Sequence, residues 1–387
     1  MRAFSTCSCR SGSDSSLSDL RVESVDLFSF RNHETWSAEL NERLTILVGP
    51  NAAGKTNVLE AIMVSATGSS FRPFAWEDLV MRGREEARVS VRSVRDRAPQ
   101  DISLRVTSAG SRTYSLNGRA RRRLRDVTGR IPVVSFVPED LGMSKGPAEE
   151  RRAAVDALGD RLSPTYTALR LEFARALRQR NTLLRQGEPD SVLDPWDDIV
   201  ARTGGALTAH RTRLVSRMVE PAEEAYRSLS GGEDLAIGYR ASWMPERAGA
   251  GGSVAIDRDQ ATEGIAKALA AARAGERARG MTLAGPHRDD VVMSIGGHTA
   301  RSHASQGQHR TIALAWKRAE VGIVASVSGV RPLLLLDDVM SELDEERRAE
   351  LTSYVLNGPQ SVVTTTNLSY FSDEMRDVAS VVEMGRG

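Results

Sequence analysis

Gly49-Pro50-Asn51-Ala52-Ala53-Gly54-Lys55-Thr56 carries the densest chemistry in the chain. Its spacing fits G-x-x-x-x-G-K-[ST], a loop whose backbone N–H groups turn toward one anion. The glycines permit that turning. Lys55 brings a positive charge to the β- and γ-phosphates of a nucleotide, which makes it a catalytic candidate, and Thr56 offers a hydroxyl to Mg²⁺. Far along the chain, Pro332-Leu333-Leu334-Leu335-Leu336-Asp337-Asp338 is an apolar run ending in two carboxylates. Asp337 is placed to hold Mg²⁺, directly or through water, and Asp338 to polarise an attacking water as general base. A buried strand ending in an ordinary acidic turn has the same spelling; the phosphate loop favours the chemical reading. Ser305-Gln306-Gly307-Gln308 has two compatible readings. Ser with Gln three residues later is a capping box, and a capped helix N-terminus beside a glycine is an anion site.

These groups need elements to hold them. Leu44-Thr45-Ile46-Leu47-Val48 is apolar, as a buried parallel strand should be. Val58, Leu59 and Ile62 fall at helical spacing. Strand, glycine loop and helix N-terminus come in the order that a phosphate cradle requires. Residues 333–336 form a second buried strand, followed by a helix and a strand at 361–364. Leu20–Phe30 alternates in the strand manner, 101–116 reads as two strands around a turn at 108–111, and 131–137 as another strand. The pattern is helical over 147–187, 194–230 and 261–279, with a Gly-rich loop at 248–253. A hairpin over 291–301 turns at Gly296-Gly297, and a helix starts near Ser305. The expected divisions are a disordered tail 1–20, an N-terminal part 21–140 with the phosphate loop, a helical lobe 141–284 and a C-terminal part 285–387. No fixed-period repeat is present.

A chain of 387 residues buries a sizeable core in two lobes. With 52 Lys+Arg against 51 Asp+Glu, the net charge of +1 makes any DNA site a local patch. Six arginines within 119–130 form a basic segment, either a phosphate-neutralising loop or a solvated turn. No aromatic interrupts it, so base stacking is not expected there. Cys7 and Cys9 cannot staple the fold and are too few for structural zinc, which points to a reduced, cytoplasmic compartment. No run of about 18 apolar residues exists, so no membrane span is expected. Arg180 lies on the apolar helix face of Leu169, Phe173, Ala176, Leu177, Leu183 and Leu184, about 20° from Leu169 at about 100° per residue. It either snorkels or is paired across the lobes, with Gly285 to Asp290 as the candidate partner segment.

Taken in order, the phosphate loop, Ser305 to Gln308 and Leu333 to Asp338 resemble the ABC-type ATPase heads of DNA-repair proteins, and Ser341-Glu342-Leu343-Asp344 looks like their D-loop. The pattern is most similar to the RecF family of bacterial recombination mediators. It runs through Phe30-Arg31-Asn32-His33-Glu34, Phe136-Val137-Pro138-Glu139-Asp140-Leu141, Gln179-Arg180-Asn181 and Gly285-Pro286-His287-Arg288-Asp289-Asp290. The resemblance implies an α/β P-loop ABC-type ATPase head with a mostly helical second lobe and no long coiled coil. It implies ATP and Mg²⁺ as cofactors, Arg31 and Asn32 in the nucleotide-binding set, and an ATP-dependent homodimer in which Ser305 of one copy reaches the γ-phosphate held by the other. It implies DNA, both single-stranded and gapped duplex, and RecR with RecO as partners, in loading RecA and supporting the SOS response. The usual Q-loop glutamine is missing, with Glu139 taken as the metal contact there and Asp140 as its alternative. Asn367 stands where many ABC ATPases place a switch histidine, Asp338 where transporters have Glu, and His309 where RecF sequences often have a second Gln. A tether of the SMC kind lacks its long coiled coils here, and a transport subunit lacks the Gln179 to Asn181 and Gly285 to Asp290 elements. A non-hydrolysing ATP-binding scaffold is the remaining alternative.

Overall fold

The structure, a computed structural model of the chain, describes residues 17–121, 124–244 and 255–385. Cys7, Cys9, the Arg122-Arg123 centre of the basic segment and the Gly-rich loop at 248–253 lie outside the described residues. The chain opens with β1 (Leu20–Phe30) and β2 (His33–Glu39), then crosses through β3 (Leu44–Val48) into α1 (Lys55–Thr67). It returns through β4 (Glu86–Arg95), β5 (Ala98–Thr107), β6 (Arg112–Leu116) and β7 (Arg119–Arg121), which complete an antiparallel sheet in the order β2-β1-β4-β5-β6-β7. After β8 (Val133–Phe136) come the helices α2 (Ala148–Leu162), α3 (Pro164–Gln186) and the 40-residue α4 (Asp190–Leu229). Next are β9 (Leu235–Arg240), α5 (Arg258–Arg279), β10 (Asp290–Ile295), β11 (His298–Thr299) and the short α6 (Ala300–His303). The C-terminal part holds α7 (Gln306–Ser328), β12 (Leu333–Asp337), α8 (Val339–Glu342), α9 (Glu345–Asn357), β13 (Ser361–Thr365), α10 (Asp373–Val378) and β14 (Ala379–Glu383).

Five parallel strands from distant parts of the sequence make the central sheet, in the order β14-β3-β13-β12-β8. Burial on both faces is why their sequences are continuously apolar. Leu333 and Leu335 face the layer of α1 and the antiparallel sheet, with Val58, Leu59, Ile62, Val89 and Val91. Leu334 and Leu336 face the other way, onto α4 and α7, with Val215, Met218, Ile312 and Trp316. A helix packed between two sheets has no solvent face, so α1 is buried continuously from Val58 to Ala66.

The expected division at residue 284 cuts through structure. β9 and β10, on either side of it, pair over six residues, and α4 packs along α7. The fold also starts before residue 20, since the Ser18 N–H bonds Gly329 O at 2.8 Å. Arg180 does not snorkel. It is fully buried, and its Nε, NH1 and NH2 donate to Asp197 Oδ1 at 2.7 Å, Thr282 Oγ1 at 2.8 Å and Glu276 Oε2 at 2.6 Å. Three partners compensate the desolvation that an unpaired guanidinium would suffer there. The partners lie on α4, on α5 and just after α5, so the pairing ties the helical lobe together. The acids of Gly285 to Asp290 go elsewhere: Asp290 is held by Arg151 at 2.8 and 3.1 Å, and Asp289 by Tyr239 Oη at 2.7 Å.

Candidate nucleotide site

β3 delivers the glycine loop to the C-terminal edge of the central sheet, where α1 begins. Ala52 and Gly54 take left-handed φ angles of 68° and 93°. Alternating right- and left-handed residues turn successive N–H groups inward, as an anion nest requires. A Cβ on Gly54 would lie 2.4 Å from His33 Nε2 and 2.7 Å from Asn32 Oδ1, so only glycine fits. The same two residues brace the loop: Asn32 Nδ2 donates to Ala52 O at 3.3 Å, and His33 Nε2 lies 3.1 Å from Gly54 O. Burial pulls the His33 imidazole below the ordinary histidine value, which keeps it neutral, with Nε2 as the donor. Lys55 is buried and curls over its own loop, donating to Gly49 O at 2.7 Å and Pro50 O at 2.9 Å. Burial lowers its pKa, opposed by Asp338 and Asp337.

The acids arrive from β12. Asp337 pairs in register with Thr364 of β13, and its Oδ1 accepts from Thr56 Oγ1 and Thr364 Oγ1, each at 2.8 Å. Asp338 follows with φ 50°, a left-handed backbone uncommon for non-glycine residues but one that Asp tolerates better than most. Its N–H is fixed on Thr364 Oγ1 at 2.9 Å, while its Oδ1 is buried with no hydrogen-bond partner. Burial pushes the Asp338 carboxyl above the usual range; Lys55 opposes this and Asp337 adds to it. Between loop and acids opens a cleft of about 410 Å³, inside the range of about 300–1,000 Å³ that small-molecule sites occupy. The donors are hard oxygens: Thr56 and Asp337 side by side, and the unpartnered Asp338 oxygen next to them. That set fits Mg²⁺, which takes one or two carboxylates with water and phosphate oxygens.

Most of the expected residues meet here. Asn51, Ala52, Gly54, Lys55, Thr56, Asn32, Asp337 and Asp338 line the cleft, and Gly49, Pro50 and Ala53 shape its loop. Arg31 does not line it. Its guanidinium is held by Glu60 through two bonds of 2.9 Å and reaches Asp78 O. Glu139 also stands apart, exposed on a single 3₁₀ turn after β8. Its neighbour Asp140 is taken up by Lys317 of α7 at 3.1 Å and by the Val137 N–H. Ser305 to Gln308 lie outside this cleft, at the exposed N-terminus of α7. There the capping box forms: Ser305 Oγ accepts from the Gln308 N–H at 3.2 Å, and Gln308 Oε1 accepts from the Ser305 N–H at 2.8 Å. His309 is buried, with Nδ1 2.7 Å from Ser144 Oγ, which ties α7 to the segment after β8. Asn367 accepts from the Ser369 N–H.

Three lining residues fall outside the expected set, Arg72, Asn57 and Thr364. Arg72 bonds both Asn57 Oδ1 and the carboxylate of Glu60. Glu60 is fully buried in α1; burial pushes its pKa up, but Arg72 and Arg31 outweigh that and hold it below the usual value. The sequence signal is a glutamate inside the otherwise apolar stretch Val58 to Val64, which needs a cation.

A parallel sheet that sets a glycine loop and an acid pair on one edge, with antiparallel strands over one face and helices over the other, is the architecture of P-loop ATPase heads. Residues 21–386 match the RecF/RecN/SMC N-terminal domain. The DNA replication and repair protein RecF of Gloeobacter violaceus is 37% identical over 95% of this chain and 97% of its own length. RecF of Symbiobacterium thermophilum is 38% identical over 90% and 92%. The chain belongs to the RecF family. Solved structures agree: the recombination mediator protein RecF-ATPrS of the RecFOR pathway superposes with TM-score 0.82 at 29% identity, over 92% of this chain and 95% of that one. RecF-ATP of the same pathway gives 0.79 at 28%, over 95% and 98%. An SMC head domain of Pyrococcus furiosus gives 0.52 at 16%, over 94% and 93%, a likeness of fold alone. Among the described residues no helix is long and apolar enough to cross a membrane.

Proposed function

We propose that this chain is an ATP-dependent DNA-binding protein of recombinational repair and replication restart, acting in the cytoplasm. It dimerises around ATP on gapped or single-strand/double-strand junction DNA, works with RecR and through it RecO, helps load RecA and supports the SOS response. One observation carries the dimer. The cleft holds Lys55, Thr56, Asp337 and Asp338 together, while Ser305 stands exposed on a capped helix outside it. A serine offered outward at a helix N-terminus is suited to the γ-phosphate held by a second copy.

In this reading the loop N–H groups and Lys55 bind the phosphates. Thr56 and Asp337 would hold Mg²⁺, which when bound would supply positive charge to offset that of the phosphates. Asp338 orients the attacking water and accepts its proton. Asp338 is one methylene shorter than Glu, and Asn367 replaces the switch histidine, so turnover is slow and ATP acts as a switch.

Turnover is expected far below the enzyme median of about 10 s⁻¹ and to rise when DNA is added. A DNA-independent rate near that median contradicts the switch. Because burial raises the Asp338 pKa, the base is lost on acidification earlier than an ordinary aspartate would be. The acid limb of kcat/KM, which reports the free protein, is expected above the ordinary aspartate value of about 3.9. A limb at or below that value removes Asp338 from the role of base.

A further inference from the structure

Three residues that the nucleotide site does not use, Arg180, Asn181 and His287, converge on Thr282. Asn181 Oδ1 accepts its N–H at 2.8 Å and its hydroxyl at 2.7 Å. Arg180 donates to the same hydroxyl oxygen at 2.8 Å, and His287 Nε2 lies 3.1 Å from Thr282 O. Glu276 completes the arrangement, taking Arg180 on one carboxylate oxygen and the Leu283 N–H, at 2.8 Å, on the other. Arg180 and Asn181 therefore lock the stretch after α5 onto α3, and His287 closes a turn within that stretch.

Over this scaffold stand Arg178, Arg185, Arg279 and Arg288, all exposed. The stem of Arg185 lies against Gly280, where an added Cβ would be 2.9 Å from its Cγ. Arg288 NH2 reaches Met281 Sδ at 3.3 Å, and Met281 is itself 41% exposed. None of the four is ion-paired to a carboxylate among the described residues. Some neighbours on the same helices are paired, Arg170 with Asp160, Arg273 with Asp197 and Arg277 with Asp190. Arg185 and Arg279 sit in the last turns of α3 and α5, where helix dipoles favour cations. That accounts for neither Arg178, inside α3, nor Arg288, in a loop. In a chain of net charge +1, four unopposed guanidinium groups on a rigid base are a local excess of positive charge.

We propose that this face of the helical lobe binds the phosphodiester backbone of duplex DNA through Arg178, Arg185, Arg279 and Arg288. It deepens, and rests on, the DNA-binding reading above. Guanidinium forks match phosphate oxygens in pairs. Arg178 and Arg185 are two turns apart, about 10.5 Å along the helix, close to the rise of three base steps at about 3.4 Å each. No aromatic side chain stands among the four, so the face holds backbone and does not stack unpaired bases.

The test is anisotropy titration of labelled blunt duplex at several KCl concentrations with ATP present. It compares the full chain with a variant carrying Arg178→Ala, Arg185→Ala and Arg288→Ala. The slope of log affinity against log salt is expected to fall by about 0.9 per lost contact, about 2.7 in all, and equally for two unrelated duplex sequences. The matching three-lysine variant is expected to keep the slope, and thermal melting and ATP-dependent assembly to stay unchanged. An unchanged slope in the alanine variant overturns this assignment and leaves the DNA-binding reading standing. Loss of binding to polyglutamate with duplex binding intact overturns it in favour of an acidic protein partner. Failure of the unaltered chain to bind duplex at any salt overturns the DNA-binding reading, and this surface with it.

Discussion

Ser305→Arg is expected to leave ATP binding by the monomer nearly intact and to abolish ATP-dependent dimers. Ser305 does not line the cleft of its own chain, so its replacement leaves Lys55, Thr56 and the acids untouched. In the proposed dimer it would put a bulky side chain where the other copy's γ-phosphate docks. Losing the cap costs about 1 kcal/mol, too little to unfold the chain, and Ser305→Ala separates that loss from the block. Lys55→Ala is expected to lose nucleotide binding itself. Mixing the two variants is the informative step, since in the proposed dimer a heterodimer would hold one site with both defects and one with neither. Up to half of the two-site activity should return if the sites are independent, and less if they are coupled. Activity measured with the heterodimer population gives the result. If Ser305→Arg still dimerises with ATP, or the mixture stays inactive while heterodimers with one intact site form, Ser305 is only a helix cap.

The second large effect is on stability. Arg180→Leu is expected to cost roughly 3–5 kcal/mol, as breaking other buried ion pairs does. The fully buried Glu276 loses its charge partner and keeps only the Leu283 N–H, whereas Asp197 retains Arg273 at 2.6 Å. Replacing Arg180 and Glu276 together by Leu and Met removes the orphaned carboxylate and is expected to recover much of the loss. Denaturant titration measures both. A neutral Arg180→Leu would mean that the network around Thr282 contributes nothing to holding α3 against α5, and the rigid base of the arginine face would go with it.

The nucleotide cleft was legible because each of its parts is local in sequence. A phosphate loop needs its glycines, lysine and threonine within eight positions, and a buried parallel strand writes a continuous apolar run before its acids. Thr364, which joins Asp337 to the Asp338 N–H, was legible only as the end of a strand, since its role comes from the register of β13 on β12. Arg72 and the partners of Arg180 were not legible for a related reason: Glu276 lies 96 residues from Arg180, and nothing in either neighbourhood names the other. Arg31 and Glu139 came from family pattern, and here the buried charge of Glu60 claims the first while the second is left exposed after β8. Some strands were missed although the signal was there. In β4, Ala87, Val89 and Val91 alternate with Arg88, Ser90 and Arg92, and the inward set packs on the layer of α1. β14 carried a weaker pattern, partly exposed at an edge of the central sheet.

The claim on which the rest depends is that ATP joins two copies of this chain on DNA. Sedimentation of the full chain with ATP, with ADP and without nucleotide, each alone and with gapped or intact duplex, weighs the complex in one experiment. A monomer without nucleotide or with ADP, a dimer with ATP, and a DNA-bound dimer formed only with ATP and in greater amount on the gapped duplex is the expected result. A chain that stays monomeric with ATP on every DNA, or that binds DNA equally with and without nucleotide, contradicts it.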